Sequence, residues 1–225
     1  MMSLFLVVFA PIEYLIAVNA ESGVLFSQTE KPFGKSFGDW SNKWFSWLMS
    51  MPMDKTAMKD STGEFCAEKQ NDKNVFLLAG ATPGDNVVRH CKVPIGKALL
   101  FIDGNECTHG EYKDIKNEDL KALENCAIDG NRLGQQGFVT ASFDGVPLKN
   151  IVNDYNVTSG PFIINITDGF PFSYDEKGSW NSMANSYVLF IKPPPKGNHE
   201  LDIDVLHQSP ENNIPYTIKY ELSIS

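Results

Sequence analysis

Two stretches of the chain carry residues suited to chemistry. The first is Asp103-Gly104-Asn105-Glu106, which follows the apolar run Ala98-Leu99-Leu100-Phe101-Ile102. Carboxylate and amide oxygens at close spacing suit a hard cation that tolerates irregular geometry, so Asp103, Asn105 and Glu106 form a candidate calcium site. The stretch lacks the spacing of a helix-loop-helix calcium loop, and a tight turn built from Asp, Gly and Asn accounts for the same residues. Glu64 or Glu106, set against a second carboxyl, could also act as acid and base in glycoside hydrolysis. The second stretch runs from Asp168 to Trp180 and mixes Phe170, Phe172, Tyr174 and Trp180 with Asp175. Flat rings stack on sugar faces or on partner side chains, and loops carried by sheets often bind. The competing reading folds these rings back over the end of the core, the commoner fate of aromatics.

Other catalytic patterns are missing. There is no Gly-x-Ser-x-Gly nucleophile turn and no Gly-rich phosphate loop. His199 and His207 sit at the two ends of one expected strand and read as surface or turn residues. The four cysteines, Cys66, Cys91, Cys107 and Cys126, lack the Cys-x-x-Cys spacing of a zinc site, with only His90 and His109 nearby. An even number of cysteines instead suits disulfides, for which three connectivities exist. Pairing each cysteine with its nearer neighbour gives Cys66–Cys91 and Cys107–Cys126, each constraining the unfolded chain by roughly 3 kcal/mol. Asn156-Val157-Thr158 and Asn165-Ile166-Thr167 fit the glycosylation triplet, which is short enough to recur by chance.

The net charge of −9, with Arg89 and Arg132 as the only arginines, argues against nucleic acid and anionic membrane surfaces as partners. Residues 1–20 are read as a cleavable export signal. An apolar run from Leu4 to Ala10 continues less cleanly to Val18-Asn19-Ala20, with small or compact residues before the cut. The run before Pro11 is far shorter than the ~20 residues a membrane span needs. Residues 21–225 are then read as a single β-rich domain.

The elements that must position the candidate residues follow from hydrophobic period. Trp40, Trp44, Trp47 and Leu48 fall on one face of a helix, with Asp39 or Ser36 to cap its start and Pro52 to stop it. Asn117 to Cys126 reads as one short surface helix, and Gly130 to Gly134 as a loop. Val75–Leu78, Val87-Val88, Ala98–Ile102, Phe138–Phe143, Phe162–Ile166, Tyr187–Ile191 and Leu201–Val205 read as strands. Asp144-Gly145 is a tight-turn pair, and Gly197-Asn198 after Pro193-Pro194-Pro195 suggests a hairpin. Tyr216, Ile218, Tyr220, Leu222 and Ile224 alternate with polar residues, the mark of a strand with one buried face. Many short strands with few helices imply a mostly β fold, an antiparallel β-sandwich of jelly-roll or immunoglobulin-like type.

Gly38-Asp39-Trp40-Ser41 with Trp44 and Trp47, then Thr62-Gly63-Glu64-Phe65-Cys66, Val75 to Gly80, Arg89 to Leu99 and Glu106-Cys107 resemble a family of secreted archaeal and bacterial proteins with no established activity. Lys192 to His199 is similar to the proline-glycine-histidine turn of that family. This sequence has Ile102-Asp103 where the family suggests an aromatic–proline pair. The resemblance implies export and a compact β-rich domain, and no reaction. The expectation is a secreted or cell-surface, non-catalytic module that binds a glycan or an extracellular protein and needs no cofactor beyond possible calcium. The alternatives are an extracellular glycoside hydrolase using paired carboxylates and a structural envelope or matrix protein.

Overall fold

The computed structural model describes residues 23–134, 139–148, 155–167, 176–208 and 213–225. Helix α1 (Phe37–Met49) begins at a reciprocal cap: Ser36 Oγ accepts from the Asp39 backbone N–H, and an Asp39 carboxylate oxygen accepts from the Ser36 backbone N–H. Trp40, Trp44, Trp47 and Leu48 are all buried along one stripe. A buried indole N–H needs an acceptor. Trp40 donates to Pro32 O at 2.9 Å, Trp44 to Leu78 O at 2.8 Å and Trp47 to Glu68 O at 3.0 Å. The tryptophans are core, and they also tie the helix to three separate backbone segments.

The described residues form two sheets. The first contains β1 (Val75–Leu78), β3 (Ala98–Thr108), β7 (Gly178–Ile191) and β6 (Asn156–Ile166), in the order β1-β3-β7-β6. The second contains β2 (Asn86–Val93), β9 (Asn213–Ile224), β8 (Gly197–Gln208), β4 (Val139–Phe143) and β5 (Val146–Leu148), in the order β2-β9-β8-β4-β5. The sheets face one another across a core that includes Phe76, Phe101, Leu189, Ile203, Ile218 and Leu222. On the other face of the first sheet, α1 packs over Leu77, Leu100, Ile102, Phe162, Val188 and Phe190. A sheet covered on both faces needs unbroken apolar strands, and one covered on a single face needs alternation. Val75-Phe76-Leu77-Leu78 is the first kind and β9 is the second.

A mostly β sandwich with a tryptophan helix is therefore the fold, and several of its details differ from the sequence reading. The sandwich is mixed: β1 pairs with β3, and β2 with β9, in parallel. The prolines before Gly197 do not lead into a hairpin. They carry the chain from β7 in the first sheet to β8 in the second. Asp103 to Glu106 is not a turn but part of β3, held in antiparallel register with Tyr187 to Ala184 of β7. With no proline after Ile102 to end the ladder, the strand runs on to Thr108. Gly130 to Gly134, read as a loop, lies inside helix α2 (Leu120–Gly134). Leu123 and Ala127 of this helix pack on Cys107 and Met183, so tertiary burial overrides two weak helix formers.

The disulfides are Cys66–Cys91 and Cys107–Cys126, with Cα atoms 5.7 and 6.0 Å apart. The second fastens α2 to β3. Among the described residues, no helix is long and apolar enough to cross a membrane.

Candidate functional site

β1 accompanies β3 only from Ala98 to Phe101. After Leu78 the chain turns away through Ala79-Gly80-Ala81, while β3 continues to Thr108 against β7 on its other edge. The space that β1 leaves is a cleft of about 390 Å³. Trp44, Phe45, Leu48 and Met49 of α1, with Met58, form an apolar wall. Asp103, Asn105 and Glu106 of β3, Glu111 in the turn after that strand, and Tyr216 of β9 form a polar one. The volume lies within the range of small-ligand sites.

Strand alternation decides where the β3 side chains go. Phe101 faces the core between the sheets and Ile102 faces α1. Asp103 therefore looks toward the second sheet, where the Tyr216 hydroxyl donates to its Oδ1 at 2.7 Å. Burial first, and then the Asp103 charge, push the Tyr216 hydroxyl well above its ordinary pKa, which keeps it a donor. Glu106, only 6 % exposed, contacts the Ser182 hydroxyl. Burial raises the pKa of Glu111, and a hydrogen bond with Tyr112 opposes that shift. The Tyr112 hydroxyl is itself raised by burial and by the charges of Glu111 and Glu106, so these three groups share one field.

Two glycines contribute to the arrangement. A Cβ on Gly104 would lie 2.5 Å from the Asn185 carbonyl oxygen and 2.6 Å from Ser186 Cα, so only glycine lets β3 approach β7 this closely. A Cβ on Gly130 would meet the Asn105 side-chain amide, so the bare position gives that amide its room between α2 and β3.

The candidate residues from the sequence divide as follows. Asp103, Asn105 and Glu106 all line the cleft, but Asp103 looks toward Tyr216, Asn105 lies against Gly130, and Glu106 lies against Ser182. Asp103 and Asn105 fall on one face of the strand and Glu106 on the other. Among the described residues no group of three or more His, Cys, Asp or Glu is arranged to hold a metal ion. Glu64 is exposed and does not line the cleft. Phe170, Phe172, Tyr174 and Asp175 lie outside the described residues. Trp180 belongs to β7 rather than to a loop, and its ring is half-buried, edge-on to His109 at 4.8 Å and close against Gly110. It is not an open platform. Sequence reading missed Glu111, Tyr216 and the α1 wall. The available signal was a carboxylate placed directly after five apolar residues of a strand.

A second buried charge cluster adjoins the cleft on the far side of Ala79. Arg89 of β2, 1 % exposed, donates through Nε to Asp60 O at 2.6 Å, through Nη1 to Ala79 O at 2.9 Å and to the Tyr220 oxygen at 2.7 Å, and through Nη2 to Met58 O at 3.3 Å. The Asp60 carboxylate accepts from the backbone N–H groups of Thr62, Gly63 and Phe65 at 3.0, 2.8 and 2.8 Å. Burial pulls its pKa up, but these bonds and the Arg89 charge outweigh that pull and hold it below the ordinary range. Only about 10 Å³ of space remains around this knot.

A broader depression of about 520 Å³ lies over β2, β8 and β9. Several of its titratable groups are paired: His90 with Glu221 at 2.9 Å, His199 with Asp144 at 2.7 Å, and Glu200 with Lys219 at 3.0 Å. The His199 ring also stacks on Phe143, so it braces the β4–β5 turn. Asn156 exchanges hydrogen bonds with Asn185, whereas Asn165 is exposed on β6 beside Ser179.

No family model matches the chain, and no curated protein matches it. Two solved structures are similar to it. One is PbICP-C in complex with falcipain-2, at 9 % identity and a TM-score of 0.29, spanning 66 % of this chain and 98 % of the other. The other is the solution structure of Amebosin, at 12 % identity and a TM-score of 0.21, spanning 63 % of this chain and all of the other. At those scores neither carries an argument about this chain.

Proposed function

We propose that this chain is an exported, non-catalytic domain that binds an extracellular ligand in the cleft between α1 and the uncovered edge of β3. The observation that carries the reading is the cleft itself: about 390 Å³ with an apolar wall on one side and carboxylates, an amide and a phenol on the other. Apolar lining with a few placed polar groups is the usual make-up of a small-molecule site. Export is supported by the two disulfides, which persist in oxidising compartments, and by the leader-like pattern of residues 1–20. The bound group can belong to a free small molecule, a glycan or a partner protein.

The test is a fragment and glycan screen followed by amide chemical shifts. Shifts clustered at Gly80, Gly104 and Glu111 support the cleft. Ligands that shift only the β2–β8–β9 depression would overturn it.

One observation favours a second reading, a hydrolase working by paired carboxylates. Glu111, whose carboxyl burial raises, lines the same cleft as Glu106, and a raised carboxyl near a second one is the arrangement such hydrolysis uses. Polysaccharide cleavage that Glu111→Gln and Glu106→Gln each abolish would establish it. Folded protein that cleaves nothing across a polysaccharide panel would remove it.

A further inference from the structure

We infer that Asn165 is an N-linked glycosylation site and that its glycan shields the outer edge of β6. The inference rests on the export reading, which brings the chain before a glycan transferase, and is independent of the cleft. Two Asn-x-Thr triplets, Asn156-Val157-Thr158 and Asn165-Ile166-Thr167, stand near the two ends of this strand. The triplet alone recurs by chance, and the structure separates the two. Asn156 Nδ2 donates to Asn185 Oδ1 at 3.2 Å, and Thr158 Oγ1 accepts from Asn185 Nδ2 at 2.9 Å. Asn185 is 4 % exposed and is also contacted by Asn131 of α2. Both side chains that define the first triplet are therefore committed to one buried amide.

Asn165 is placed the other way. Phe162, Ile164 and Ile166 turn into the core beneath α1, so alternation turns Ile163 and Asn165 to the opposite face. Asn165 and Thr167 are both exposed. The Ser179 hydroxyl, opposite Asn165 in the ladder, donates to its Oδ1 at 2.6 Å. That bond holds the amide by its oxygen, and Nδ2 makes no hydrogen bond among the described residues. In the modification this nitrogen bonds to the anomeric carbon of an oligosaccharide carried on a lipid phosphate. The carbon–oxygen bond to the phosphate breaks, the lipid phosphate leaves with the electron pair, and the amide gives up one proton. β6 is the outermost strand of its sheet, and Ile163, on the face of the attachment point, is 53 % exposed. Open strand edges invite pairing with other chains, and a bulky polar group blocks it.

The test is mass spectrometry of the full chain purified from the cells that export it, intact and after chymotryptic cleavage, which divides Asn156 from Asn165 at Phe162. The expected result is a start near Glu21, paired cysteines, sugar mass on the Asn165 peptide and none on the Asn156 peptide. Asn165→Gln and Thr167→Ala should each remove the whole glycan mass, and Thr158→Ala should remove none. Thermal unfolding checks that each variant is folded. By light scattering, Asn165→Gln should self-associate at concentrations where the native protein is monomeric, and adding Ile163→Lys should restore the monomer. Unmodified Asn165 in a chain with the leader removed and the cysteines paired overturns the inference and leaves export standing. A chain that keeps residues 1–20 and has its cysteines free overturns both. Sugar on Asn156 overturns the choice between the triplets. If folded Asn165→Gln stays monomeric, the shielding role fails and the site stands.

Discussion

Two clusters of charge lie on either side of Ala79, and they are packed differently. At the Arg89 knot each charged group is closed in by donors and acceptors, and almost no space is left. In the cleft, carboxylates border about 390 Å³ of space and face an apolar wall. Both involve Tyr hydroxyls from β9, Tyr220 in the knot and Tyr216 in the cleft. The difference teaches that burial of charge does not by itself mark a binding site. What distinguishes the cleft is that its charged groups adjoin room for something else.

That contrast can be broken first at the knot. Arg89→Ala leaves Asp60 and three carbonyls without their cation, and should lower stability by ~3–5 kcal/mol in urea unfolding. A loss under ~1 kcal/mol would mean that the knot is no more structural than the cleft. Next is the staple behind the cleft. Replacing both Cys107 and Cys126 by alanine opens a loop spanning 19 residues and should cost about 3 kcal/mol, read as a fall in Tm. Reduction of the native protein should weaken cleft binding in parallel, because α2 supports Asn105.

Gly104→Ala touches neither cluster's charges. It forces β3 from β7 and should cost ~2 kcal/mol, with amide shifts concentrated along Asp103 to Glu106. The smallest effect is in acid, where the two clusters should respond with opposite sign. Glu111 is raised in the fold, so the folded state takes up its proton first. Stability from this group therefore rises as pH falls from the folded value toward the ordinary glutamate value. Asp60 is depressed, so its contribution is present above the ordinary aspartate value and is lost as pH falls through the lower, folded one. Glu111→Gln should consequently gain slightly at neutral pH, by under ~1 kcal/mol, while Asp60→Asn should lose stability there and flatten the acid limb of the pH–stability curve.

The elements were largely readable from residue pattern, and their partners were not. The tryptophan stripe and the alternation of β9 are local signals, and both appear in place. Gly197-Asn198 has good turn chemistry, yet β7 and β8 part to different sheets because β7 needs cover on both faces and β8 on only one. Asp103-Gly104-Asn105-Glu106 has the composition of a turn, and pairing with β7 overrides that preference. Gly130 looks like a helix breaker until Asn105 is seen occupying the room it leaves. The cleft draws on α1, β3, Glu111 and β9, which no sequence window spans.

The parallel pairing of β2 with β9 also sets a timetable. Asn86 lies beside Thr217, 131 residues downstream, and the whole of β2 waits for that strand before its ladder can close. A chain emerging from the ribosome can wind α1 early, but the second sheet has no second edge for β2 until β9 has been synthesised. Nascent chains should therefore stay protease-sensitive until late in synthesis.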